Sequence, residues 1–268
     1  MKVRLTSLRT LAASLALTIG LGAAAPALAA QCGNSAGGFN QWKQEFAQEA
    51  VRAGISQGTV QSALMPTSYS NQVIKLDRNQ HSMNISLEAF MQRRAPASFV
   101  KKGKRIIQQN AGLLNSIEKS YGVQKEIIVA IWGMETGFGA NSGSINIFSS
   151  LATLAYDCRR SAFFTEELLA ALAIVDRGDM KPSQMKGAWA GEIGQTQFLA
   201  KNYLRFAVDG DGNGRRDLIN SKADVLASTA NFLRQHVWRP GAGYQQGEPN
   251  FAILRDWNRA GVYQKALA

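Results

Sequence analysis

Histidine and cysteine are scarce in this chain, with two of each among 268 residues. Neither His81 nor His236 belongs to a Ser–His or Cys–His signature, and neither has zinc-ligand spacing. That excludes the common nucleophilic triads and zinc hydrolases. No phosphate-binding loop or dinucleotide fingerprint is present, which argues against nucleotide chemistry. Acidic residues are also few: 19 Asp and Glu stand against 30 Lys and Arg, a formal charge of +11. Beyond the first thirty residues no apolar run is long enough to cross a bilayer. Sustained two-residue alternation is missing, so any sheet must be small. There is no internal repeat and no low-complexity linker.

What is present begins with an export signal. Lys2, Arg4 and Arg9 form a basic segment, Leu11 to Leu21 an apolar core, and Ala27-Leu28-Ala29 a small-residue cleavage site. Residues 1–29 are expected to be a signal peptide and 30–268 the mature domain, compact or bilobed. Removing the three basic residues of the leader from +11 leaves +8. A basic exported protein suits an anionic partner: wall polymer, membrane surface or nucleic acid. Gln31 precedes Cys32 where a lipidation signal would have Gly or Ala, so no membrane anchor is expected. Cys32 and Cys158 can form one disulfide in an oxidising compartment, worth roughly 4 kcal/mol in the chain-entropy model. Two buried free thiols are the alternative.

The apolar spacing is mostly helical. Phe39, Trp42, Phe46 and Ala50 recur at three and four residues, and Gly54 stops them. Ile106, Asn110, Leu113, Leu114, Ile117 and Tyr121 predict another helix, ended by Gly122. Leu168, Leu172 and Val175 mark a helix that ends before Gly178. Val225, Thr229, Phe232, Leu233 and Val237 mark one stopped before Pro240, and a short helix is expected near Phe251 to Asn258. The fold class expected is mainly α, with a cleft and at most a small β element.

Glu135 closes the run Ile127-Ile128-Val129-Ala130-Ile131-Trp132-Gly133-Met134, and Thr136-Gly137-Phe138-Gly139 then ends a helix. A carboxylate at the mouth of an apolar pocket is desolvated, which favours its protonated form, the state a general acid needs. The alternative is a helix-end Glu that reaches solvent. In Gly187-Ala188-Trp189-Ala190-Gly191-Glu192-Ile193-Gly194-Gln195-Thr196-Gln197-Phe198, three glycines allow close backbone approach. The amides and flat rings there suit sugar hydroxyls and C–H faces; a loop feeding a helix near Gln197 is the alternative. Glu192 reads as a solvated loop residue, with a second catalytic carboxylate as the other option.

Asp209-Gly210-Asp211-Gly212-Asn213-Gly214-Arg215-Arg216-Asp217 matches the front half of a calcium loop: oxygen donors at one, three and five, glycine at six. The Arg215 carbonyl would serve at seven and Asp217 at nine. Asn220 stands at twelve in place of a bidentate Glu, and Asp224 could close the site; a metal-free Asp/Gly turn is the alternative. Lys101-Lys102-Gly103-Lys104-Arg105 has no interleaved aromatics to stack bases, so it reads as a solvated helix face, and nucleic acid is not an expected partner.

Taken together, Ile131 to Gly139, Ser150 to Tyr156, Ala190 to Phe198, the Asp209 loop and Ala227 to Phe232 occur in one order that resembles the B-type lytic murein transglycosylases. The resemblance covers roughly residues 40 to 260. It implies a lysozyme-like fold and a periplasmic enzyme acting on peptidoglycan glycan strands. It assigns Glu135 as sole acid/base and Gln197 and Asn258 as substrate-binding residues, with Trp257, Tyr203 and Gln195 beside them. It also implies a structural calcium ion on Asp209, Asp211, Asn213, Arg215 and Asp224, no cofactor for catalysis, and a monomer. Ala188, Phe232 and Ala200 depart from the family's serine, tyrosine and proline. A water-using muramidase, a non-catalytic wall-binding protein and a calcium-dependent nuclease are the competing readings.

Overall fold

The computed structural model describes residues 30–80 and 85–268; the leader expected over 1–29 and His81 lie outside the described residues. The described chain is helical, in the order α1 (Phe39–Arg52), α2 (Gln57–Thr59, continuing into a π turn at Val60–Leu64), α3 (Asn71–Arg78), α4 (Leu87–Arg94), α5 (Ala97–Gln109), α6 (Ala111–Tyr121) and α7 (Lys125–Thr136). Next come α8 (Ile147–Tyr156), α9 (Ser161–Asp176), α10 (Ala200–Phe206), α11 (Lys222–Gln235), α12 (Leu254–Trp257) and α13 (Gly261–Leu267). One antiparallel pair, β1 (Ile145–Asn146) with β2 (Lys186–Gly187), is the only sheet among the described residues.

The sequence explains which helices are central. α7 and α8 are apolar almost all round, and both are buried: Ile127, Ile128, Ile131, Ile147, Leu151 and Ala155 are each 0% exposed. A helix that is hydrophobic on every side belongs in the core. α9 packs along α8, and α11 crosses α6 and α7. One apolar cluster runs from Phe39 to Leu267. The expected Ile106–Tyr121 helix is interrupted. At Asn110 the backbone turns away and the side-chain amide bonds the Ile106 carbonyl, a local alternative to the helical ladder that separates α5 from α6.

The N-terminal segment is fastened to α8. Cys32 is bonded to Cys158 across 126 residues, and the Gly33 amide bonds the Tyr156 carbonyl beside it. Phe39, Trp42, Tyr69 and Tyr156 form an aromatic cluster over that junction. The basic run on α5 is exposed, as a solvated helix face should be. Lys102 lies over the Phe138 ring at 4.9 Å.

Two features position the cleft. Gly137 ends α7 in the left-handed conformation (φ 64°), with its amide bonded to Gly133 O and the Phe138 amide to Trp132 O. Glu135 therefore sits in the last turn of a rigid, buried helix. The second feature is a β tongue: Gly187 bridges Ile193, which bridges Phe198. A side chain at Gly187 would collide with the Glu192 carbonyl, so the tongue folds tightly only with glycine there. No helix starts at Gln197; α10 begins at Ala200, where buried Glu167 accepts the Lys201 amide at 3.0 Å.

Candidate active site

The end of α7, the tongue and the segment around α12 enclose a cavity of about 280 Å³. Glu135, Glu192, Thr196, Gln197, Asn202 and Asn258 supply its polar groups, while Phe198, Phe232 and Trp257 form an aromatic wall. The Trp257 ring lies 4.9 Å from Phe232, edge to face, and 5.5 Å from Phe198. His236 stacks on Phe232 at 4.1 Å and bonds the Phe232 carbonyl through Nδ1, so it braces the wall from α11.

Glu135 is held by two donors on one oxygen. Trp257 Nε1 donates to Oε1 at 2.9 Å and the Tyr263 hydroxyl at 2.5 Å. Desolvation raises its pKa above the usual carboxylate value; the Tyr263 bond, the Trp257 bond and the Arg94 charge oppose this. With both donors on Oε1, Oε2 is the oxygen left to exchange a proton. Tyr263 is 5% exposed, and burial followed by the Glu135 charge raises its own pKa well above the ordinary phenol. It stays neutral and donates. Arg94 from α4 fixes the helix end by bonding the Met134 carbonyl at 2.7 Å.

Gln197 and Asn258 also reach the cavity. Gln197 adopts φ 56°, a left-handed conformation that costs a non-glycine residue energy, and such strain concentrates at functional sites. Its amide nitrogen bonds the Ser142 and Gly194 carbonyls. Asn258 spends its carbonyl oxygen on the Ala260 amide, leaving its nitrogen as the donor available to the cavity.

Two expected contacts are corrected. Tyr203 is 0% exposed, and its hydroxyl donates to the Arg216 carbonyl; apolar spacing on α10 turns it into the core and away from the cleft. Gln195 is used at both ends of its amide, accepting from Trp132 Nε1 at 2.9 Å and donating to Ile219 O at 2.7 Å. It ties α7 to the segment before α11 and does not line the cavity. Glu192 is corrected in the opposite sense. Ile193 is buried and paired on both sides, so strand alternation turns Glu192 into the cleft instead of bulk solvent.

Tyr263, Asn202 and Thr196 escaped the sequence reading. Tyr263 meets Glu135 across 128 residues, a pairing that leaves no local pattern. Thr196 is 1% exposed, and its hydroxyl has no partner among the described residues. An unpartnered buried hydroxyl at the wall of a polar cavity is costly unless a ligand or water completes it.

The acidic loop lies apart from this cavity. Carboxylate oxygens of Asp209, Asp211 and Asp224 come within 4.8 Å of one another. Asp209 is held below its ordinary pKa by the Gly214 amide first, with the Gly212 and Asn213 amides adding to it. Asp224 is 0% exposed; burial and then the Asp211 charge raise its pKa, against the Asp217 and Gly210 amides. No Lys or Arg pairs with it among the described residues. A buried carboxylate next to two others, with no described Lys or Arg to balance them, fits a hard cation. Asp217 does not fill position nine: its Oδ1 accepts the Ile219 and Asn220 amides, and it caps the following turn.

A family model described as Transglycosylase SLT domain matches residues 38–248. The chain belongs to this family. The membrane-bound lytic murein transglycosylase B of Escherichia coli is 36% identical over 143 residues, a match that takes in 53% of this chain and 39% of that protein. This SLT chain therefore aligns with less than half the length of that relative. SltB3 from Pseudomonas aeruginosa, solved with NAG-anhNAM-pentapeptide, has a TM-score of 0.80 at 30% identity over 85% of this chain and 77% of that one. The E. coli lytic transglycosylase Slt35, solved with calcium, has a TM-score of 0.76 at 25% identity over 89% and 93%. The matched SLT segment holds Glu135, the tongue and the acidic loop. Trp257, Asn258 and Tyr263 lie beyond its end, so both donors to Glu135 come from outside it.

Proposed function

We propose that this protein is an exported lytic transglycosylase that cleaves the β-1,4 bond between N-acetylmuramic acid and N-acetylglucosamine, leaving 1,6-anhydromuramoyl ends. The observation that carries this is Glu135: a desolvated carboxyl at a helix end, with two donors on one oxygen, in a polar cavity with an aromatic wall. The SltB3 structure with an anhydro-sugar ligand supports the same reaction class.

The protonated Glu135 gives its proton from Oε2 to the glycosidic oxygen as the C1–O bond breaks. The substrate's acetamido group stabilises the positive charge at C1, a substrate-assisted route that needs no second nucleophile. Glu135, now a carboxylate held by Tyr263 and Trp257, takes the proton of the muramyl C6 hydroxyl as that oxygen closes on C1. The acid is thereby restored and no water is consumed. Gln197 and Asn258 hydrogen-bond the sugars, and Trp257 and Phe198 pack on their C–H faces.

The acidic loop would hold calcium through Asp209, Asp211 and Asp224, with the Asn213 side chain and the Arg215 carbonyl completing the set. The ion would neutralise three clustered carboxylates and fasten the loop to α11. The working compartment is the periplasm, after removal of residues 1–29, and the protein acts as a monomer on glycan strands. Cys32 is spent in the disulfide, so its sulfur is not free to carry a lipid.

Mass analysis of muropeptides released from purified peptidoglycan tests the activity. Anhydro ends support the transglycosylase. Reducing ends would instead identify a muramidase, a reading favoured only by the presence of Glu192 in the cavity.

A further inference from the structure

The cleft holds a second carboxyl that the mechanism above leaves unused. Glu192 lines the same cavity as Glu135 but arrives from the tongue, a different wall. Its position is built. Ile193 is locked between Gly187 and Phe198, and the Ala190 amide donates to Glu192 Oε2 at 3.2 Å. One oxygen is thus anchored to the tongue and the other remains for the cavity. No cation pairs with it among the described residues. The unpartnered Thr196 hydroxyl lies in the same wall. A half-buried acid anchored by a backbone amide, with no cation in contact, has a use if positive charge appears next to it during turnover.

We propose that Glu192 is a second catalytic carboxyl, which faces the reacting sugar from the tongue while Glu135 faces it from the end of α7. This rests on the transglycosylase reading above. Glu192 takes no part in bond making. Its negative charge stabilises the positive charge that develops at C1 between departure of the leaving oxygen and attack of the C6 hydroxyl. Proton transfers remain those of Glu135, so atoms and charges balance as before.

The productive state has the proton on Glu135 and the charge on Glu192. Two carboxyls sharing one cavity resist ionising together, and they titrate as a pair. Desolvation first, and the Glu135 charge among its further causes, raises the pKa of Glu192; its own backbone amide, then the Ala190 amide and Arg160, act the other way. Around Glu135 the opposing groups are Tyr263 from α13, Trp257 from α12 and Arg94 from α4. A charged Glu192 therefore helps Glu135 keep its proton to higher pH. Glu192→Gln, which keeps the shape and removes the charge, should move the alkaline limb of activity to lower pH.

The test compares wild type, Glu192→Gln, Glu192→Asp and Glu135→Gln on purified peptidoglycan across pH, with muropeptides read by mass. We expect Glu192→Gln to lower kcat by about tenfold or more, with KM little changed, anhydro ends retained and the alkaline limb shifted to lower pH. Glu192→Asp should recover part of the rate and return the limb toward its original position. A Glu192→Gln enzyme with unaltered kcat and unaltered pH limb overturns the proposal. So does a uniform loss of rate with no movement of the limb, because a merely structural role predicts that. If wild type releases no muropeptides, the transglycosylase reading has failed on its own. NMR titration of the two side-chain carboxyls then still decides the coupling: independent single titrations, unchanged when the partner is replaced, would reject it.

Discussion

Glu135, half-buried at the cleft, and Asp224, fully buried, are both carboxyls whose protons desolvation holds to higher pH, yet their surroundings prepare them for different partners. Glu135 has two neutral donors on one oxygen, an aromatic wall and a single acidic neighbour in its cavity. A proton can leave and return there without rearrangement. Asp224 has a backbone amide on each oxygen and two further carboxylates within 4.8 Å. Negative charge accumulates there and calls for a divalent cation. Burial alone therefore does not define a catalytic acid; the count of nearby charges and the kind of donor decide between proton and metal.

The largest test of that contrast is Glu135→Gln. It should cut muropeptide release by about a thousandfold or more and leave the thermal midpoint within a few degrees, because the amide keeps the shape but holds no transferable proton. Asp224→Asn should do the reverse: near-normal cleavage when folded, and loss of the calcium-dependent rise in midpoint. For wild type, calcium at a hundred times its dissociation constant should stabilise by about 2.7 kcal/mol, measured by calorimetry before and after chelation. Absence of any calcium heat would remove the metal half of the comparison.

Tyr263→Phe sharpens the acid half. As a general acid, Glu135 works below its raised pKa, so activity falls as pH rises through it. Removing the phenol donor takes away a bond that favours the carboxylate, so the proton is held longer and the alkaline limb should move to higher pH. That direction is opposite to the one expected for Glu192→Gln, which makes the pair diagnostic in pH–rate profiles. Smaller effects separate the two glutamines. Gln195→Ala should lower stability by about 1–3 kcal/mol in denaturant unfolding, since it leaves Trp132 Nε1 and the Ile219 carbonyl without partners. Gln197→Gly should weaken cleavage and change stability by less than about 1 kcal/mol, because relief of the left-handed backbone offsets loss of the side-chain bonds to Ser142 and Gly194.

The parts of this arrangement that were legible in the sequence are those written in consecutive residues. The apolar run before Glu135, the Gly137 stop and the Asp209 loop each carry their geometry locally. The Cys32–Cys158 bond was a matter of count and compartment. What remained hidden depends on distant packing. Tyr263 reaches Glu135 from a seven-residue helix near the C-terminus, and nothing in its own spacing indicates that. Glu192 looked solvated because the tongue that turns it inward is built from single bridges, too short to leave an alternating pattern. Gln195 looked like a sugar contact by its chemistry, and Tyr203 by the family resemblance. Their polar atoms are already taken by Arg216, Trp132 and Ile219.

The most direct test of the central claim is the mass of muropeptides released from purified peptidoglycan by wild type and by Glu135→Gln. The account predicts products ending in 1,6-anhydromuramic acid, one water lighter than their hydrolytic counterparts, from wild type only. Reducing-end products from wild type, or anhydro products undiminished in Glu135→Gln, would contradict it.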